Sequence, residues 1–426
     1  MSKFENVIGY ETIKNELLQI CDMIHNKEIY QKLGAKLPKG VLLYGAPGLG
    51  KSLMAKCFIE ESGLEAYTIR RNKSSVDFVG EITETFNKAK QNSPAIVYLD
   101  DMDKFSNEDE MHRDSEEYVA VQSGIDEVRH AEVFVIATVN DIDKLPDSLV
   151  RAGRFDRKIE VHEPTEKDAG EIIGHYLKSK KIGESVNLDD VTKMISYSSC
   201  AELETILNEA AIQAAFERHE VITMQDITKA VLRMQYDSPD DYSKVSEDEL
   251  KKVALHEAGH LVVCEVLCPE SVGMASIKTS GRNSQGGFIH RCKELPNPMD
   301  DVLVSLAGKA AVELYYSENY AYGCQSDINR AFKMIRNEIS VNGACGFGMI
   351  DVANRRFPDT SESMNSRNEA VVHTLLEQNM IKTRDILLKN REFLEKTTEM
   401  LIKKQTILHS DIKALREMCG VVSVEM

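Results

Sequence analysis

Short, nearly unbroken apolar runs mark the first third of the chain: VLLYG at 41–45, AIVYL leading into the carboxylates of DDMD at 95–103, and VFVIATV leading into Asn140 at 133–141. No polar residue alternates within the runs, so each predicts a strand buried on both faces. Segments such as KSLMAKCFIEESG, with one apolar face and a glycine stop, predict helices between them. Apolar strands alternating with helices imply a parallel sheet covered on both sides, an α/β fold. Ligands of such sheets bind beyond the carboxyl ends of the strands. A Gly-rich turn, Asp100 and Asn140 all fall there.

After about residue 166 the pattern turns helical, in EKDAGEIIGHYLKSKK, AELETILNEAAIQAAFERHE and TMQDITKAVLRM. The Asp-rich stretch YDSPDDYSKVSEDE at 236–249 predicts a linker. A third, mostly helical block follows. It is interrupted by SIKTSGRNSQGGFIHRC at 276–292, which predicts a small hairpin or sheet, and closed by long amphipathic helices over about 364–417. The expected organisation is an α/β module at 1–165, a small helical lid at 166–238 and a helical domain at 239–426. The apolar runs fall well short of the roughly 18 residues a membrane helix needs. The opening MSKFENVIGYETIKNELL has no apolar h-region, so no signal peptide is expected.

Charge and cysteine content narrow the partners. The net charge of −17, from 52 basic and 69 acidic residues, argues against a nucleic-acid binder. Nine cysteines, scattered singly, predict reduced thiols. A soluble, cytoplasmic protein is expected.

The octapeptide GAPGLGKS places Gly45, Ala46, Pro47, Gly48, Leu49, Gly50, Lys51 and Ser52 between a strand and a helix, with Leu53 behind. Glycine lets backbone N–H groups approach phosphate oxygens, and the helix N-terminus adds a favourable dipole. Lys51 is expected at the β- and γ-phosphates of ATP and Ser52 at Mg²⁺. A chance Gly-rich turn would lack both flanking elements. Asp100 ends the second apolar strand, as a metal carboxylate should, and Asp101 stands where a water-activating carboxylate would go. Arg151 and Arg154, in VRAGRFDRKIEV, are surface arginines or, in this context, arginine fingers that stabilise charge on the γ-phosphate of a neighbouring subunit.

The second centre is LHEAGHLVV at 255–263. On a helix His256 and His260 share a face and can bind one Zn²⁺, with Glu257 as general base. A lone match to this pattern is as readily a buried helix that carries histidines. A catalytic zinc takes three protein ligands, and no third histidine follows closely. Asp327, opening the helix in GCQSDINRAFKMI, is the candidate, with helix capping an equal alternative from spacing alone. Cys264, one turn past His260, reads as core.

In the order FENVIGYETIKNEL, GAPGLGKS, YLDDMD, VNDIDKLPDSLVRAGRFDR, LNEAAIQAA, LHEAGH, LAGKAAVEL and GCQSDINRA, the chain resembles the FtsH-type AAA+ zinc metalloproteases over nearly its whole length. The resemblance implies an ATP-driven homo-hexamer that unfolds tagged or unfolded proteins and threads them to a zinc protease ring. It implies Zn²⁺, ATP and Mg²⁺ as cofactors. By resemblance Asn140 orients the attacking water, Arg151 and Arg154 act in trans, and Asp327 is the third zinc ligand. By the same resemblance Phe78, with Val79 beside it, is the pore-loop aromatic that grips substrate, with a core phenylalanine left open as the alternative. His175, Cys200 and Ala201 pack the base and ribose, and GGFIH is the strand that pairs with an extended substrate.

The chain departs from the family in three places. It begins at the AAA+ module, where relatives usually carry membrane helices, and reads either as a naturally soluble member or as a trimmed piece of a longer protein, the Met start favouring the former. Asp101 replaces the usual glutamate, one methylene shorter, which predicts weaker water activation. The segment between DFVG and ETFNKAK lacks the usual Gly-rich run and arginine. These departures motivate an alternative, an ATP-binding remodeller or assembly factor with slow hydrolysis. A third reading is an ATP-independent peptidase with the ATPase ring as scaffold.

Overall fold

The computed structural model describes residues 2–72, 74–106, 115–151, 153–238, 246–278, 286–316, 323–340 and 362–423. Parts of the expected linker (239–245) and hairpin (279–285) lie outside the described residues. The chain divides into two compact units: Met1–Ser179 with Tyr197–Leu207, and Lys180–Ser196 with Asn208–Met426.

The first unit begins with helices α1 (Glu11–His25) and α2 (Lys27–Lys32). There follow β1 (Gly40–Tyr44), α3 (Lys51–Ser62), β2 (Glu65–Ile69), α4 (Ser75–Gln91), β3 (Ala95–Leu99), α5 (Glu116–Glu127), β4 (Val133–Val139), β5 (Arg157–Glu160) and α6 (Glu166–Lys178). The strands form one sheet in the order β2-β3-β4-β1-β5, and every pairing is parallel. β1, β3 and β4 are the three apolar runs. Their side chains are buried on both faces, apart from the half-buried Tyr44. The sequence expectation missed β2 and β5. Both are edge strands with exposed polar residues, EAYTI and RKIE, which carry little apolar signal.

Helices α7 (Leu188–Met194), α8 (Cys200–Phe216) and α9 (Met224–Tyr236) follow. Next come α10 (Glu247–Leu267), β6 (Val272–Ser276), β7 (Phe288–Arg291), α11 (Asp300–Tyr316), α12 (Gln325–Ser340), α13 (Glu362–Lys389), α14 (Arg391–Lys404), β8 (Thr406–Leu408) and α15 (His409–Cys419). Ser246 and Glu249 close a capping box that starts α10. From Ala254 to Val266 only His256 is not fully buried, so α10 is a core helix enclosed on all sides. Its Leu255, Leu261 and Val262 pack with Leu303 and Ala307 of α11, and with Leu394 and Leu401 of α14. β7, β6 and β8 form an antiparallel sheet in that order, leaving β7 at an edge. The expected closing helices are broken at Asn390 and again at β8. Among the described residues no helix is long and apolar enough to cross a membrane.

Candidate functional site

Strand order places the loop after β1 beside the ends of β4 and β5, with the end of β3 one strand farther on. Gly45 has φ 143°, and a Cβ there would lie 2.1 Å from the Val161 carbonyl oxygen, so only glycine fits. Lys51, 5% exposed, donates from Nζ to the carbonyls of Gly45 and Ala46 (2.7 Å each) and to Asn140 Oδ1 (2.9 Å). Burial lowers its pKa, against the charges of Asp101 and Asp103.

Asp100 Oδ1 accepts from three hydroxyls: Tyr98 (2.6 Å), Thr138 (3.1 Å) and Ser52 (3.2 Å). Ser52 Oγ and Asp100 Oδ1 are the oxygen donors a Mg²⁺ ion takes beside phosphates. Asp101 sits at φ 53°, its N–H donating to Thr138 Oγ1 (3.0 Å) and its carboxylate 2.8 Å from Lys104 Nζ. Asn140 N–H donates to Asp103 Oδ1 at 3.2 Å. The site thus brings together Lys51, Ser52, Asp100 and Asn140.

In the second unit His256 and His260 project one turn apart from α10, their Nε2 atoms 3.0 Å apart. Asp327, in the first turn of α12, puts Oδ2 3.2 Å from His256 Nε2 and 3.5 Å from His260 Nε2. His260 Nδ1 faces the Val304 carbonyl at 2.6 Å, which puts its proton there and leaves Nε2 as a lone pair. The ligand atoms of the three residues lie within 4.8 Å of one another. Lone pairs so gathered repel unless a cation or proton lies among them. Two imidazole nitrogens and one carboxylate oxygen are the donor set of a catalytic zinc with one position open. The residues therefore fit Zn²⁺.

Burial works against the charge on Asp327, but the adjacent His256 and His260 rings outweigh it and hold the carboxyl well below the usual range. Burial likewise opposes a charged His260, while Asp327 and Glu257 pull its pKa up. Glu257, 5% exposed, is pushed up by burial, partly offset by the histidines and by the Gly287 N–H that it accepts. The fit is tight. A Cβ on Gly308 would come within 2.4 Å of the His256 ring, and one on Gly287 within 2.3 Å of Glu257 Cγ.

Comparison with known proteins gives the same two halves. The description "ATPase family associated with various cellular activities (AAA)" matches residues 41–163, and "Peptidase family M41" matches residues 243–415. The chain is 31% identical to an ATP-dependent zinc metalloprotease FtsH of Leptotrichia buccalis, over 97% of this chain and 57% of the relative. For the protein of the same name from Caldicellulosiruptor bescii the identity is 30%, over 97% of this chain and 71% of the relative. The chain belongs to the FtsH family. It spans less than two thirds of some relatives, among them that of Streptobacillus moniliformis, of which it covers 64%.

Other residues expected from the FtsH resemblance fall less simply. Of the two readings of Phe78, gripping aromatic or core residue, its placement is that of the core residue. It is fully buried in the first unit's core, edge-on to Phe105 with centroids 4.9 Å apart. The apolar face of α4 turns it inward, and Val79 beside it is half-buried. Arg154 is 7% exposed and paired with Asp126 at 2.8 Å, whereas Arg151 is exposed. Ala201 N–H donates to the Gly48 carbonyl at 3.1 Å, and Cys200 Sγ lies 3.5 Å from Tyr10 Oη, so α8 starts at the phosphate loop. His175 is exposed, its ring beside Tyr176. Leu53 is exposed on α3.

Sequence reasoning missed Tyr98, Thr138, Lys104, Val304, Gly308 and Gly287. The tyrosine before the Asp100 pair was a visible signal, a polar group inside an apolar strand. Val304 acts through its backbone and leaves none.

Proposed function

We propose that the chain is an ATP-dependent zinc endopeptidase acting on protein substrates, which it unfolds and threads as a homo-hexameric ring. The observation that carries this reading is the convergence of His256, His260 and Asp327 beside the buried Glu257, on a chain that also gathers Lys51, Ser52, Asp100 and Asn140. The working division is an ATPase module at 1–165, its lid at 166–238 and a protease at 239–426. The free thiols among the described residues support a cytoplasmic setting.

A Zn²⁺ ion held by the triad supplies a Lewis acid for the scissile carbonyl and acidifies a water. Glu257 takes the proton of the attacking water at its carboxylate and returns it to the leaving amine. Its burial raises its proton affinity toward that task. Val304 and Gly308 fix the histidine rings. β7, an edge strand, offers backbone groups to an extended polypeptide. In the ATPase, Lys51 neutralises phosphate charge, Ser52 and Asp100 hold Mg²⁺, and Asp101 and Asn140 orient water. Arg151 reaches the neighbouring subunit's nucleotide, while Arg154, anchored on Asp126, sets its loop. His175, Cys200 and Ala201 border the base and ribose.

The test is degradation of an unfolded protein with ATP and Zn²⁺. Glu257→Gln should slow cleavage about 10²–10⁴-fold with ATP hydrolysis and zinc content unchanged. Cleavage at the wild-type rate by that variant would remove Glu257 from the mechanism.

A further inference from the structure

Two cations beyond Lys51 stand beside the carboxylates at the end of β3. Lys104 closes the short turn Met102–Lys104, and its Nζ lies 2.8 Å from Asp101 Oδ2. Arg70, the residue after β2, brings Nε to 3.8 Å from Asp100 Oδ2. The Lys104 side chain is 63% exposed. An exposed ion pair is ordinarily worth little, because holding two mobile side chains in one geometry costs entropy. Here the backbone has already removed much of that mobility. Asp101 sits in the left-handed region, at φ 53°, with its N–H on Thr138 Oγ1 at 3.0 Å. The Lys104 N–H donates to the Asp101 carbonyl at 2.9 Å, so both partners of the ion pair ride on one turn. The hydrogen bond to Asp101 raises the Lys104 pKa above its ordinary value, against burial, so the ammonium stays charged. That charge also reaches the phosphate loop. Lys51, whose pKa is lowered first by burial, is lowered further by Lys104.

The other two carboxylates are engaged elsewhere. Asp100 Oδ1 accepts from three hydroxyls, and Asp103 turns its oxygens to Asn140, at 3.2 Å from the N–H and 3.4 Å from Nδ2. Among the described residues the Lys104 ammonium therefore bonds to Asp101 alone. A carboxylate that orients an attacking water must offer it an oxygen lone pair. Asp101 commits Oδ2 to an ammonium, and an aspartate has one methylene less than a glutamate with which to turn its other oxygen to a water. We propose that Lys104 tethers Asp101 and holds ATP turnover down, as a positioning residue acting through that carboxylate. The inference rests on the reading of Asp101 as the water-orienting group. Salt screens exposed charges, so the same tether makes turnover rise with ionic strength.

The test is the kcat of ATP hydrolysis by the full chain at saturating ATP and Mg²⁺. Lys104→Met keeps the length of the stem and loses the charge, and its kcat should rise about twofold to fivefold. A variant that merely disturbed the turn would lose turnover instead. Lys104→Arg, which keeps the cation, should stay within about twofold of the wild type. Raising the ionic strength from about 0.05 M to about 0.3 M should increase the wild-type kcat and leave that of Lys104→Met flat. Asp101→Asn should lower kcat about 10²-fold, and adding Lys104→Met to it should then bring no gain, because the tethered group is gone. A kcat for Lys104→Met at or below that of the wild type, or an equal salt response in the two proteins, overturns the tether. Wild-type turnover by Asp101→Asn overturns the water-orienting reading of Asp101 itself, and the tether with it.

Discussion

The phosphate loop takes eight consecutive residues, 45–52, and works largely through their backbone; the zinc triad joins side chains of α10 to one on α12, 71 residues along the chain from His256. The first is placed by the end of one strand and the start of one helix. The second depends on how α10, α11 and α12 pack, since the Val304 carbonyl orients His260 and the bare Gly308 makes room for His256. A phosphate site built this way tolerates change around it. A metal site built from packed helices inherits every error in their packing.

If the two sites are assembled independently, each can be removed without the other. Lys51→Ala takes away the cation that bridges the Gly45 and Ala46 carbonyls and Asn140. ATP turnover should fall about 10²–10³-fold, while metal analysis still finds about one zinc per chain. Zinc lost together with ATP turnover would show that the sites share a folding unit, and the contrast would fail.

Gly308→Ala probes the other side of the comparison. A methyl group there must displace the His256 ring, because the nearest ring atom is only 2.4 Å away. Zinc affinity, measured by competition with a chelator, should weaken about 10–100-fold, and ATP turnover should not move. Unchanged zinc affinity would mean that α11 yields easily and that packing does not govern the triad.

The same contrast governs what was legible in the sequence. The three central strands and the phosphate loop were legible because a doubly buried strand and a Gly-rich turn each have a local pattern. The edge strands β2 and β5 were not, since half their residues face water. His256, Glu257 and His260 were legible as a spacing. Asp327 was tied with a helix cap until α12 brought it to the histidines. Phe78 stayed open between a gripping aromatic and a core residue, because an aromatic in a Gly-flanked motif looks alike whether it faces solvent or a core. Only the packing against Phe105 separates the two. The surroundings of His290 were invisible, because Ser196 and Tyr236 lie 94 and 54 residues away along the chain.

The smallest expected effect separates the units by acid. Burial lowers the His290 pKa to about 4, from an ordinary value of 6.5. Between those values the unfolded chain binds the proton and the folded one does not, so stability rises with pH across the window. The contribution is complete above about pH 6.5 and is lost as pH falls toward 4. A shift of this size is worth at most about 3 kcal/mol. The half-buried ring is enclosed by Tyr236 and Ser196, and the sheet partner of its residue is Met274, so no charged side chain in that set offsets the burial. His290→Gln cannot titrate. Its denaturation midpoint for the second unit should therefore fall less steeply than that of the wild type between pH 6.5 and pH 4, with the first unit's transition the same in both. Parallel pH profiles for the two proteins would show that the ring already takes up its proton in the folded state. Enclosure by Tyr236 and Ser196 would then cost the charged ring nothing, and the contrast in acid response between the two units would fail.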